Sequence, residues 1–150
     1  MYTPLAVGLA GATVAALNPI GVGALAWSAL AFRAAVCTAN TAEAEHVIAA
    51  LQAGEEAYRS ESIAYRSCSD DACWRELGVR MRPGRYTYAV VAGVPGQMPP
   101  AVPGVHVDWP VPTEPWYVVI ATGDSDGDGV SGTFVASSFG TDTYSANECE

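Results

Sequence analysis

The chain has 150 residues and a mass of 15.6 kDa, enough for one domain with a real core. Half of the residues are apolar, mean hydropathy is +0.17 and only 15% are charged, which excludes a disordered tail and argues against an ordinary well-charged cytosolic enzyme. Seven arginines, no lysine and sixteen acidic residues give a formal net charge of −9, which excludes nucleic-acid binding through a broad basic footprint.

Leu5 to Phe32 is a run of 28 residues with no charged side chain. As a helix it is roughly 42 Å long, whereas a bilayer core needs about 20 residues. Gly8, Gly11, Pro19, Gly21 and Gly23 interrupt it. Such residues weaken a helix in water but are tolerated where helices pack closely or lie in lipid. The run exceeds the h-region of a secretory leader and follows no basic n-region, so we expect a retained hydrophobic helix. Between Thr41 and Glu61, Ala44, Val47, Ile48, Leu51, Ala57 and Tyr58 recur at three- and four-residue spacing, with Glu43, Glu45, Glu55 and Glu56 between them. This pattern predicts an amphipathic helix with a solvated acidic face. No turn signal separates the two segments, so one long helix is expected to end near residue 60.

Beyond residue 60 the period changes to two. Tyr86–Val91, Trp116–Thr122 and Gly132–Ser137 read as strands, with Val105–Trp109 as a weaker fourth. A proline-rich connection, Pro95 to Pro115, joins the first two. The expected fold class is α+β: a long N-terminal α-helix, its hydrophobic stem spanning residues 1–40, followed by a head over 41–150 in which the amphipathic helix packs on a small antiparallel β-sheet.

Three segments carry a family resemblance. E-A-E-H-V-I-A-A-L-Q-A-G-E-E-A-Y-R-S-E (43–61) looks like a pilin helix leaving its stem. C-W-R-E-L-G-V-R-M-R-P-G-R-Y-T-Y-A-V (73–90) is similar to the start of a pilin sheet. Y-V-V-I-A-T-G-D-S-D-G-D-G-V-S-G-T-F (117–134) is similar to a hairpin near many pilin C-termini. Together the chain resembles the type IV pilin family, including the pseudopilins of type II secretion. Met1–Leu5 lacks that family's glycine-terminated leader and its glutamate at mature position five. The resemblance implies a structural, non-enzymatic subunit of an extracellular, pilus-like filament. It would lie in the inner membrane before assembly, meet the pilus assembly machinery, and then polymerise with copies of itself through a core including Leu9, Val14, Leu17, Pro19, Val22, Leu25 and Leu30. A pseudopilin and a single-pass anchored extracytoplasmic domain that does not polymerise are the alternatives.

Little else in the chain offers chemistry. Glu55/Glu56 and Asp70/Asp71 are adjacent pairs, which point in different directions and read as solvated surface rather than opposed catalytic carboxylates. His46 and His106 have no second ligand at zinc spacing. There is no nucleophile elbow, no phosphate loop or other nucleotide fingerprint, and no haem-attachment motif. With the head placed outside the cytoplasm, the four cysteines are expected to be oxidised. Cys68 and Cys73 bracket a short loop, which leaves Cys37 with Cys149, although four cysteines allow three connectivities. In Gly123–Gly129, Asp124, Asp126 and Asp128 alternate as in the first half of a calcium loop, with the Val130 carbonyl as a fourth ligand; Val135 stands where the second half needs a bidentate glutamate, so Asp142, Glu148 or water are the candidates for the rest. The competing reading is a metal-free hairpin in which Asp and Gly are turn residues.

Overall fold

The computed structural model describes the backbone of residues 19–125 and 127–149, and side chains from residue 31 onward within those limits. The chain divides into two units, Met1–Arg33 and Ala34–Glu150. The helix α1, Pro19–Ser62, runs through this division. In the second unit Cys37 is bonded to Cys149, and Asn40 is buried with its Nδ2 donating to Ser125 Oγ at 2.9 Å.

A short helix α2, Asp71–Glu76, follows α1. Asp70 caps it: its carboxylate accepts the backbone N–H of Ala72 and of Cys73, both at 2.9 Å, filling two of the donors that a helix start leaves open. At the other end Gly78, at φ +74°, closes a Schellman turn in which the N–H of Gly78 reaches Arg75 O and that of Val79 reaches Trp74 O. Four strands complete the fold: β1 Thr87–Gly93, β2 Trp116–Gly123, β3 Gly132–Ser137 and β4 Tyr144–Ala146. They form one antiparallel sheet in the order β1-β2-β3-β4, with Val90 opposite Val119 and Val119 opposite Ala136. Cys68 exchanges two backbone hydrogen bonds with Val90, which covers part of the outer edge of β1.

The sheet is buried on both faces. Ala44, Ile48 and Leu51 of α1 pack with Val90, Tyr117, Val119, Ala121, Phe134 and Ala136 on one face. On the other, Trp116, Val118 and Val135 are covered by Val102, Val105, Trp109 and Phe139. The proline-rich connection therefore acts as a second layer. Period two along β2 and β3 puts alternate residues on these two faces, so both strands are buried almost throughout.

Three sequence expectations need correction. Val105–Trp109 is not a strand. Its alternation is real, since Val105 and Trp109 face the core while His106 and Asp108 face solvent, but among the described residues its pairing is an isolated bridge between Val102 and Val105. The fourth strand is instead β4, which pairs with β3. On α1, Ala57 is exposed and Glu55 is fully buried, because the stripe through Ala44, Ile48 and Leu51 continues at Glu55.

Gly54, one residue before Glu55, is where the α2 end meets α1. A Cβ there would stand 2.6 Å from the Leu77 carbonyl oxygen and 3.1 Å from Leu77 Cβ. Glycine to alanine within a helix normally stabilises by about 1 kcal/mol. Here the collision is with backbone, so Gly54→Ala is expected to lower the melting temperature, with a loss of about 1–3 kcal/mol. A variant that melts above the parent chain would show that Leu77 yields without cost.

Candidate functional site

Of the residues expected in a filament core, Leu9, Val14 and Leu17 lie outside the described residues. Pro19, Val22, Leu25 and Leu30 fall within α1, and their side chains also lie outside them. The described part of this surface is its last turn, where Phe32 is 70% exposed. Among the described residues no helix is long and apolar enough to cross a membrane.

The β2–β3 loop is built by its own aspartates. Asp124 Oδ1 accepts the Gly127 N–H at 2.7 Å, and Oδ2 accepts the Gly129 N–H at 2.9 Å. Asp128 Oδ1 accepts the Val130 N–H at 2.7 Å. Gly127 and Gly129, at φ +81° and +91°, supply backbone shapes that L side chains resist. Asp126 lies outside the described residues. Among the described residues no group of three His, Cys, Asp or Glu side chains is placed to hold a metal ion. Asp142 and Glu148 are exposed, and Glu148 hydrogen-bonds the Ser145 hydroxyl.

All four cysteines are paired, Cys37 with Cys149 and Cys68 with Cys73. The first bond closes a sequence separation of 112 and holds the C-terminal tail against α1, where Thr41 Oγ1 also reaches the Glu148 carbonyl. Of the two acidic pairs expected at the surface, Asp70 is the α2 cap and Asp71 is exposed, whereas Glu55 is 0% exposed.

Glu55 is the unusual group of the head. Its Oε2 accepts the Arg66 backbone N–H at 2.9 Å, while Oε1 is buried and, among the described residues, has no hydrogen-bond partner. Burial pushes its carboxyl up to about 7, against the opposing pull of the Arg66 N–H; neighbouring Glu56 adds to the rise and the Arg66 charge opposes it. Beside it Tyr65 packs edge-on against Tyr117 with ring centroids 4.7 Å apart. The Tyr65 hydroxyl accepts from Arg59 at 2.7 Å and donates to Glu56 Oε1 at 3.0 Å. Arg59 also pairs with Glu114 at 3.2 Å. Nothing in the sequence separates Glu55 from Glu56 except the helical stripe, which was the usable signal.

A hollow of about 490 Å³ lies between α1 and the end of β3, lined by residues including Gln52, Glu56, Tyr117 and Phe139, and further concave surface lies between α1 and the segment after α2. A groove of about 570 Å³ is lined by residues including Glu43, His46, Arg80, Met81, Arg82 and Tyr88. A second hollow, of about 470 Å³, shares His46, Val47, Arg80 and Met81 with it and extends over Ala50 and Gly54.

Comparison with protein-family models, curated proteins and solved structures returned no match to this chain.

Proposed function

We propose that this chain is a structural subunit that self-assembles into an extracellular, pilus-like filament through its N-terminal apolar helix, without catalytic turnover. The observation that carries the reading is the uncharged run Leu5–Phe32 leading into a helix that continues to Ser62 and there packs on an antiparallel sheet. An apolar surface of that length has to be covered, and in water equivalent helices are the available cover. Each buried aliphatic side chain contributes about 1.5–3 kcal/mol relative to exposure, so a shared bundle of such runs holds tightly. Phe32, exposed at the end of the run, belongs to that surface. Two disulfides in the head agree with an oxidising location outside the cytoplasm.

Ala16→Asp tests the reading. A carboxylate in the middle of the run costs about 2.5–3.5 kcal/mol per copy in an apolar environment, repeated in every subunit. Electron microscopy should show fibres from the parent chain and none from Ala16→Asp, while the melting temperature of the head stays unchanged. Fibres of normal abundance from the variant would remove the apolar run from the assembly interface. Monomers alone from the parent chain would favour an anchored domain.

A further inference from the structure

The eleven residues from Arg75 to Arg85 hold four of the seven arginines in a chain of net charge −9, with Glu76 as their only acidic residue. The backbone explains how they are displayed. After the Schellman turn the chain runs without helix or strand from Val79 to Gly84. Val79 and Met81 are packed against the core, and Arg80 and Arg82 alternate with them on the exposed side. Arg75 Nε donates to Asp71 O, the Arg85 N–H donates to Glu43 Oε1 at 3.1 Å, and the Arg85 guanidinium donates to Ser125 O at 2.9 Å. Among the described residues Arg80 and Arg82 make no ion pair and no hydrogen bond with their own chain. Both line the groove along α1, together with His46, Met81 and Glu43, whose Oε1 is engaged by the Arg85 N–H.

We propose that this groove, through Arg80 and Arg82, receives Asp124 and Asp128 of the acidic β2–β3 loop of a second copy of the chain. The inference rests on the self-assembly reading and adds to it a contact between heads. Charge is the first argument: copies of a chain this acidic repel one another over most of their surfaces, so an opposite-sign match at one place sets both partner and register. Shape is the second. Asp124 and Asp128 are exposed, and Gly127 and Gly129 beside them carry no side chain. Preorganisation is the third, because the hydrogen bonds from Gly127 and Gly129 to Asp124 hold the loop before docking, which reduces the ordering cost of association. Groove and loop are separate sets of residues that meet on each head at the Arg85–Ser125 bond, and given head-to-tail the contact is heterologous. Repeated from copy to copy, such a contact propagates a helical polymer unless the rotation closes a ring.

The test uses the full chain in three variants: R80E/R82E, D128R and the triple R80E/R82E/D128R. The readout is the concentration at which sedimentable polymer first forms, with the head's melting temperature as a control. R80E/R82E and D128R should each raise that concentration by about tenfold or more, and the triple variant should assemble better than R80E/R82E alone, because opposite charges face each other again. R80E/R82E assembling like the parent chain would overturn the groove as an interface. Losses that simply add in the triple variant would overturn the loop as its occupant. A parent chain that forms no polymer at any concentration would instead overturn the self-assembly reading itself, a result distinct from either.

Discussion

Glu55→Gln is expected to make the head more stable at pH 8 by about 3 kcal/mol and to leave it unchanged below pH 4.5. In the unfolded chain this carboxyl ionises near its ordinary 4.5, while in the fold burial holds it protonated up to about 7. Between those values the unfolded state has released a proton that the folded state still keeps. Rising pH therefore favours unfolding through that window, and the loss levels off above pH 7. Each unit of separation corresponds to about 1.4 kcal/mol, which sets the size of the effect. The glutamine side chain has nearly the same shape and does not titrate, so its stability curve lacks this slope. Denaturant melts of both proteins from pH 4 to 9 check it. Parallel curves would mean that Glu55 finds a partner or water in solution. The groups that face it are Glu56, Arg66 and Tyr117. Of these, Glu56 and Tyr117 carry no charge that could relieve an ionised Glu55, which leaves Arg66 alone to oppose the rise.

The second large effect is expected from Cys37→Ser/Cys149→Ser. A bond that closes a separation of 112 residues removes far more freedom from the unfolded chain than one closing a separation of 5. In the chain-entropy account the long bridge contributes about 4–5 kcal/mol and the short Cys68–Cys73 bridge about 2 kcal/mol. Loss of the long bridge should lower the melting temperature of the head by roughly 15 °C, and loss of the short one by less than half as much. It should also loosen β4, an edge strand of three residues that pairs with β3 and lies just before Cys149. Calorimetry of both double-serine variants separates the contributions, and amide exchange at Ser145 and Ala146 reports the local loosening. Equal losses from the two bridges would show that loop length is not what governs stability here.

The parts of this fold that can be read in the sequence are those where periodicity and burial agree. Ala44, Ile48 and Leu51 announce the helix face, and the alternation in Trp116–Thr122 and Gly132–Ser137 announces two central strands. Val105–Trp109 shows the limit: alternation specifies which residues face a core, but not whether the backbone finds an edge to pair with. This segment lies over the second face of the sheet, with Trp109 packed on Phe139 at 5.7 Å and on Tyr144 at 6.3 Å. β4 is invisible because Tyr-Ser-Ala is too short to show a period, and it exists through its pairing with β3. Glu55 was hidden because a charged residue on a buried stripe looks like part of the neighbouring acidic face. The candidate groove was less legible still. Its arginines stand in plain view in the sequence, but the turn at Gly78 and the irregular backbone beyond it are what put Arg80 and Arg82 in one groove along α1.

The bond between Cys37 and Cys149 also decides how the head responds to mechanical load. A pull applied between any residue before Cys37 and the chain past Cys149 passes through the sulfur–sulfur link and bypasses the sheet, the core and both faces of hydrophobic packing. The intervening residues, which at about 3.4 Å each would pay out roughly 380 Å of slack, remain folded and unloaded. Under tension the head is then inextensible while oxidised. Addition of a reductant during stretching should release that hidden length in a single abrupt step.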